Sequence, residues 1–259
     1  MLAFIMHNIN FLLYFIKLPQ NPMQLLKFSD YKYIIIIKER LNMTAKETAK
    51  RYTLFIISLF FSAFGVAVTK HGELGVSPIS SVANVMSSRS EAITLGTWLI
   101  IWNCLLILGQ ILILRKSFRP IQLLQIPISF LFGIFTDFGM MCVDKIPTDL
   151  YAVRLLLVVC GMLILAFGIS LAVTADVIMN SGEAFVKAIA DKSGGNFGKI
   201  KIGFDICCVV ASVALSLLFF NGKIVGTREG TVITALFTGL AVNMFTGLVK
   251  EPLGRMLTK

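Results

Sequence analysis

The sequence predicts an all-α membrane protein, in which six transmembrane helices form two inverted repeats of three helices each. The first observation is composition: 56% of the residues are hydrophobic, 15% are charged and the mean hydropathy is +0.83. These values exceed the usual range of a soluble domain. The second is a series of apolar runs near the length that crosses a bilayer, and the third is weak similarity between the two halves.

Six apolar runs predict the six spans, because a helix needs roughly 20 apolar residues to cross the hydrocarbon core. The runs cover 54–68, 94–114, 121–143, 155–175, 200–220 and 231–249. The first run is short, and Arg51 with Tyr52 before it and Thr69 with Lys70 after it extend it as interfacial flanks.

Residues 1–42 do not fit this pattern. Their apolar stretch is interrupted by His7, Asn8, Asn10 and Lys17, and no small-residue cleavage site of a signal peptide follows it. Two interpretations stay open: a poorly ordered or interfacial extension, or upstream sequence translated from a misassigned start. Residues 43–259 are then a single transmembrane domain.

The distribution of basic residues predicts the orientation. With the first span entering from the cytoplasm, fifteen Lys and Arg residues lie near the inner ends of the spans and six near the outer ends. Cytoplasmic loops carry the excess of positive charge in membrane proteins. Both termini are therefore expected in the cytoplasm, and the net charge of +10 is a topology signal rather than a sign of nucleic-acid binding.

Three short matches between the halves predict an internal repeat. "SAFGVAV" at 62–68 resembles "LAFGISL" at 165–171, "LGTWLIIWN" at 95–103 aligns with "FGKIKIGFD" at 197–205, and "FGIFTD" at 132–137 aligns with "TGLAVN" at 238–243. The offsets are 103, 102 and 106, and the halves are 51–143 and 154–249. With three spans each, the second half enters the membrane from the opposite side, as in transporters built from inverted repeats. The aligned segments pair Gly96 with Gly198, Asn103 with Asp205, Gly133 with Gly239, and Asp137 with Asn243.

Each half also contains a polar segment between its first and second spans, at 75–88 and at 178–192. Ser77 before Pro78 predicts a helix start in the first segment, and Ser181 predicts a helix cap in the second. Glu183 and Lys187 are expected to pair at i, i+4. Two alternatives stay open: the helices lie flat at the membrane surfaces, or they are re-entrant with their N-termini directed into the protein.

Polar residues in or beside the spans predict a binding site, because such groups are costly in hydrocarbon. The repeat pairs Asn103 with Asp205, and an amide and a carboxylate are ligands for a cation, a proton or an amine. Lys201 lies four residues from Asp205 and is expected to neutralise it. The candidate substrate-binding residues are Ser77, Asn84, Asn103, Asn180, Glu183 and Asp205.

No cofactor, metal site or enzymatic activity is expected. The chain has two histidines, and none of its cysteines shows the spacing of a zinc site. It also lacks the H-E-x-x-H and G-x-S-x-G patterns and a Walker A motif. Any transport would therefore be driven by an ion or proton gradient.

Three motifs carry a family resemblance: "GVSP", "GNFGKIKIGFD" before the fifth span and "GTREGTVI" before the sixth. On these motifs, the chain over about 45–250 resembles the bacterial YczE/YitT-like integral membrane proteins. It implies a multi-pass protein of the bacterial cytoplasmic membrane, for which a transport role is often assumed and no substrate is settled.

The first functional hypothesis is therefore a secondary transporter or permease of a small solute, working by alternating access and coupled to a proton or cation. The alternative is a non-transporting membrane protein that supports or regulates a partner protein. An intramembrane enzyme is the third and weakest hypothesis. The partners expected are the lipid bilayer and the solute, with no nucleic acid; the sequence leaves the oligomeric state open.

Overall fold

Residues 44–90 and 92–258 are described by the computed structural model, and their regular structure is entirely helical apart from an isolated bridge between Gly75 and Thr227. The extension at 1–42 lies outside the described residues. The residues from Ala49 onward form one compact unit.

Eight helices are described, and six of them are long and apolar enough to cross a membrane. The six spans confirm the predicted number, and α2 and α6 are the two short helices. Two 3₁₀ segments, Arg115–Ser117 and Pro120–Leu124, join α3 to α4. The helices are α1 (Ala45–His71), α2 (Pro78–Arg89), α3 (Leu95–Leu114), α4 (Gln125–Val143), α5 (Tyr151–Ala175), α6 (Ser181–Ser193), α7 (Phe197–Phe219) and α8 (Glu229–Thr258).

Hydrogen bonds between helix ends identify the two faces of the helix bundle. Near the start of α1, the Arg51 guanidinium donates to the carbonyl oxygen of Ala175 at the end of α5, 3.2 Å away. At the other end of α1, His71 Nε2 lies 2.8 Å from the carbonyl oxygen of Ile146 in the α4–α5 loop. We call the first side the A face and the second the B face. Helix α3 starts at the B face, and α7 starts at the A face.

The packing of α1 against α5 uses small residues at corresponding positions of the two halves. A Cβ atom added to Gly65 would lie 2.7 Å from the carbonyl oxygen of Gly161, and one added to Gly168 would lie 2.9 Å from the carbonyl oxygen of Ser58. Gly65 corresponds to Gly168, and Ser58 to Gly161, at the same offset of 103. A glycine of each helix therefore lies against the backbone of the other helix at the corresponding position. Neither contact leaves space for a larger side chain.

The two short helices pack in the same reciprocal manner. Helix α2 packs against α7 and α3, whereas α6 packs against α3 and α7. Their first turns meet, because a Cβ atom added to Gly182 would lie 3.1 Å from Cδ1 of Ile79. Ile79 and Gly182 are also separated by 103 residues, so this contact joins corresponding positions.

The start of α2 agrees with the prediction, and the start of α6 corrects it. Pro78 occupies the first turn of α2 and Ser77 is the N-cap. In α6 the N-cap is Asn180, whose Oδ1 accepts a hydrogen bond of 3.0 Å from the backbone N–H of Ser181. The prediction that Ser181 is the cap was wrong because Asn180 is an equally good capping residue, and the Ser181 hydroxyl bonds elsewhere.

The expected ion pair between Glu183 and Lys187 is also wrong. Lys187 instead pairs with Asp191, four residues further along α6, at 3.7 Å. Both arrangements satisfy the same helical spacing, so the spacing alone does not choose between them.

Candidate functional site

The start of α6 is held against the middle of α3 by buried polar groups. The Ser181 hydroxyl donates to Oδ1 of Asn103 at 2.7 Å, and the Ser181 carbonyl accepts from Nε2 of Gln110 at 3.2 Å. All three residues are buried. Asn103 and Gln110 are seven residues apart and therefore lie on one face of α3, from which both bond the first residue of α6.

Gln125 at the start of α4 completes this buried network. It exchanges two hydrogen bonds with Gln110, of 3.0 and 3.2 Å between amide nitrogen and amide oxygen, and it is 2% exposed. The sequence alone does not single out Gln125, because amides are ordinary at the ends of membrane spans. The satisfied network fixes α6 relative to α3 and α4.

Asp205 of α7 is neutralised by Lys201, as predicted. The Lys201 ammonium lies 2.6 Å from both carboxylate oxygens of Asp205, and both side chains are about one quarter exposed. This pair stands on the side of α6 opposite the α3 network, since α6 packs between α3 and α7. Phe185 of α6 also lies between α3 and α7. Its ring packs on Phe204 of α7, with the ring centroids 5.3 Å apart, and contacts Gly109 of α3.

Glu183 lies in the first turn of α6, near the Lys201 and Asp205 pair. Its partly buried carboxyl has no hydrogen bond or ion pair with any residue that the structure describes. Burial raises the pKa of Glu183; the Lys201 charge opposes the rise and the Asp205 charge adds to it. An unpaired carboxyl of raised pKa in a polar cluster is a group suited to taking up and releasing a proton.

This raised pKa gives a stability prediction. A carboxyl whose pKa is higher in the folded state stabilises the protein below its ordinary pKa, and that contribution is lost as the pH rises through the folded pKa. Glu183→Gln stays neutral at every pH. We therefore expect the variant to melt about 2 °C higher than the wild type near pH 8 and to match it near pH 4. A thermal scan in detergent measures this, and an equal pH dependence in both proteins would contradict the assignment.

The other two candidates lie around α2. The Ser77 hydroxyl donates to Oγ of Ser80 at 3.1 Å, so it bonds locally within the first turn. Asn84 donates to the carbonyl oxygen of Gly226, and its buried Oδ1 has no hydrogen-bond partner among the described residues. Asn84 also borders a cavity of about 290 Å³ near the B face, together with Lys70 and Arg228.

A second cavity lies near the A face, between α6 and the start of α7. Its volume is about 480 Å³ and its walls include Met179, Lys187, Asp191, Gly195 and Phe197. Asn84 of the first cavity corresponds to Lys187 of the second at the repeat offset of 103. Each cavity therefore includes one residue of this pair.

The structure thus separates the six predicted residues into two groups. Asn103, Asn180, Glu183 and Asp205 surround the start of α6, while Ser77 and Asn84 belong to α2. The contact between Ile79 and Gly182 joins the two groups. Asn103 and Asp205, which the repeat pairs, each have another partner: Asn103 bonds Ser181, and Asp205 bonds Lys201.

Within the described ranges, no group of three or more His, Cys, Asp or Glu residues is placed to hold a metal ion. The arrangement can bind polar groups and exchange a proton.

Comparison with known proteins places the chain in a family. Residues 49–247 match the family of unknown function DUF6198. The chain belongs to this family. All six predicted site residues of the DUF6198 chain lie inside the matched range. The chain is also similar to the uncharacterized membrane protein YczE of Bacillus subtilis (strain 168), with 25% identity over 196 residues, which cover 75% of this chain and 85% of YczE.

No solved structure matches this DUF6198 chain. The similarity to YczE agrees with the family resemblance seen in the sequence, and with six apolar helices it identifies an integral membrane protein. Neither the family description nor the name of YczE gives a substrate. The geometry of the site is therefore the basis on which a function can be proposed.

Proposed function

We propose that this DUF6198 protein is a secondary transporter of a small polar solute, which works by alternating access of two inverted halves. The observation that carries the proposal is the unpaired carboxyl of Glu183 between the α3 amide network and the Lys201–Asp205 pair. Polar residues at the interface of two repeats are typical of the binding sites of secondary transporters.

Reciprocal packing supports the inverted repeat. The α1–α5 contact and the contact of Ile79 with Gly182 each join corresponding positions of the halves. When two surfaces are related by a two-fold axis, residue i of one surface contacts residue j of the other, and residue j of the first contacts residue i of the second. Because each half has three spans, such an axis runs in the membrane plane.

Contacts along α3 and α7 support re-entrant helices rather than helices lying on the surface. Ser181 bonds Asn103, which is about 12 Å along α3 from its first residue. On the other side, the Ser81 hydroxyl lies 3.4 Å from the carbonyl oxygen of Cys208, midway along α7. In the proposal both short helices therefore begin near mid-depth, where their free N–H groups face the solute path.

Glu183 is the proposed coupling group. Its protonated form is favoured by burial, and its ionised form is favoured by Lys201 when the site is open to water. Protonation from one side and release to the other would couple solute movement to a proton gradient. The proposal assigns no catalytic residue and no cofactor.

The proposed orientation places the A face in the cytoplasm of a bacterial cell, with both termini on that side. The basic residues near the A-face ends of the spans support this, since cytoplasmic loops carry the positive excess. The Bacillus origin of YczE agrees with a cytoplasmic membrane.

A ligand-stabilisation screen tests the site. Purified wild type, Glu183→Gln and Asp205→Asn are heated with a panel of small amines, amino acids, carboxylates and sugars. Some compound is expected to raise the melting temperature of the wild type and to act more weakly on both Glu183→Gln and Asp205→Asn. The matched control is Glu251→Gln, which removes an exposed carboxyl near the end of α8 and should respond as the wild type does.

A compound that stabilises all four proteins equally would place its binding site elsewhere. If no compound acts and transport is also absent, the alternative of a non-transporting protein that supports a partner gains support.

A further inference from the structure

The two halves differ at the start of their second span, beside the third span. In the first half this is the start of α3 beside α4, and in the second half it is the start of α7 beside α8. In the first half this place is closed by Asp137 of α4. Its carboxylate accepts hydrogen bonds from the Thr94 hydroxyl at 2.7 Å and from the backbone N–H of Gly96 at 2.8 Å. Asp137 thereby binds the N-terminus of α3, where the helix dipole favours a negative charge.

Glycine makes this closure possible. A Cβ atom added to Gly96 would lie 2.6 Å from the carboxylate of Asp137, and one added to Gly133 would lie 2.7 Å from the carbonyl oxygen of Gly96. Both glycines are buried. The backbones of α3 and α4 are therefore in contact near the B face.

In the second half every corresponding residue lies open. Gly198 and Gly239, the counterparts of Gly96 and Gly133, are exposed, and Gly239 has no atom within contact distance of an added Cβ. Asn243, the counterpart of Asp137, is also exposed, and the structure gives its amide no partner among the described residues. Asn196, at the counterpart position of Thr94, is likewise the exposed N-cap of its helix, α7.

The open position of Asn243 needs an explanation, because α8 is a membrane-spanning helix. Asn243 lies about 21 Å along α8 from its first residue, within the part that crosses the hydrocarbon. An amide without a hydrogen bond is costly there. A second conformation in which Asn243 meets the start of α7 would satisfy it, as Asp137 is satisfied at the start of α3.

We infer that the two places are the two gates of the transporter: Asp137 with Thr94 and Gly96 closes the B face, and Asn243 with Asn196 and Gly198 closes the A face. The inference rests on the proposed function. The described conformation is then closed toward the B face and open toward the A face, where the cavity of about 480 Å³ adjoins the start of α7. The opposite conformation arises when the halves exchange their arrangements.

Cysteine cross-linking tests the A-face gate. The five native cysteines are replaced by alanine, and Gly198→Cys is combined with Asn243→Cys in the full chain in membranes. A protease site in the 221–224 turn between α7 and α8 places Gly198 and Asn243 on different fragments after cleavage, so that a disulfide between them holds the two fragments together. Oxidation with copper phenanthroline is expected to link the two fragments, in a product that runs as a single chain before cleavage. The control pair Gly203→Cys with Asn243→Cys should give far less product, because Gly203 faces open space and is not part of either gate.

Opening the B-face gate should increase this product. Asp137→Ala removes two charge-assisted hydrogen bonds and is expected to raise the cross-linking rate about tenfold. Asp137→Asn keeps an acceptor and introduces the residue that the second half has, so its rate should stay near that of the parent. Thr94→Ala, which removes one bond only, should give an intermediate rate and serves if Asp137→Ala does not fold.

Absence of the intrachain disulfide in every background would overturn the gate assignment. A disulfide between two copies through Asn243→Cys would also overturn it and would make this face of α8 an interface between chains. Neither result would change how a ligand affects the melting temperatures of the wild type and of Glu183→Gln. Failure of the gate assignment can therefore be distinguished from failure of the transport proposal. Conversely, if the cross-link forms but no compound in the screen stabilises the protein, the gate movement is supported and the transport of a solute is not.

Discussion

Replacing Gly65 by leucine is expected to destabilise the protein by about 3 kcal/mol, because the new side chain meets backbone rather than flexible side chains. The Cβ atom alone would lie 2.7 Å from the carbonyl oxygen of Gly161 and 2.8 Å from Cα of Leu165. Helices α1 and α5 would have to move apart along their whole contact. Thermal unfolding in detergent measures the loss.

A substitution at the corresponding glycine of α5 tests the same helix contact from the other side. Gly168→Leu makes the corresponding collision with Ser58 and Ser62 and should cost about as much. Gly203→Leu is the matched control, since it places the same side chain on a spanning helix with open space around it. Equal melting temperatures for Gly65→Leu and Gly203→Leu would show that α1 and α5 do not pack as described.

The sequence predicted the spans well because hydrocarbon thickness sets their length and composition. Their ends were less certain: α1 begins at Ala45, ahead of the apolar run, and its first two turns are polar, so hydropathy alone does not reveal them. The start of α6 shifted by one residue, since Asn180 and Ser181 are both capping residues and local sequence does not rank them.

The sequence indicated which polar residues form the site, but not which residues they contact. Asn103, Glu183 and Asp205 stood out because polar groups are rare in spans and beside them. Their partners depend on how α6 packs between α3 and α7, which no local pattern encodes. Gln125 and Asp137 have clear roles in the structure and gave little signal, because each lies toward the end of a span, where polar residues are common.

The second large effect concerns Glu183 and gradient-driven transport. Glu183→Gln removes the one proposed coupling group while leaving the α3 network and the Lys201–Asp205 pair in place. A carrier that cannot release a proton should still exchange bound solute across the membrane, because exchange needs no net proton transfer. Accumulation of solute against its gradient requires that transfer and should be lost.

The most direct test of the transport account is therefore uptake into proteoliposomes of the compound that the stabilisation screen identifies. With a pH gradient imposed, the wild type is expected to accumulate the compound, and Glu183→Gln is expected to equilibrate it without accumulation while retaining exchange. Accumulation by Glu183→Gln at the wild-type level would contradict the role of Glu183, and the absence of both uptake and exchange in the wild type would contradict transport itself.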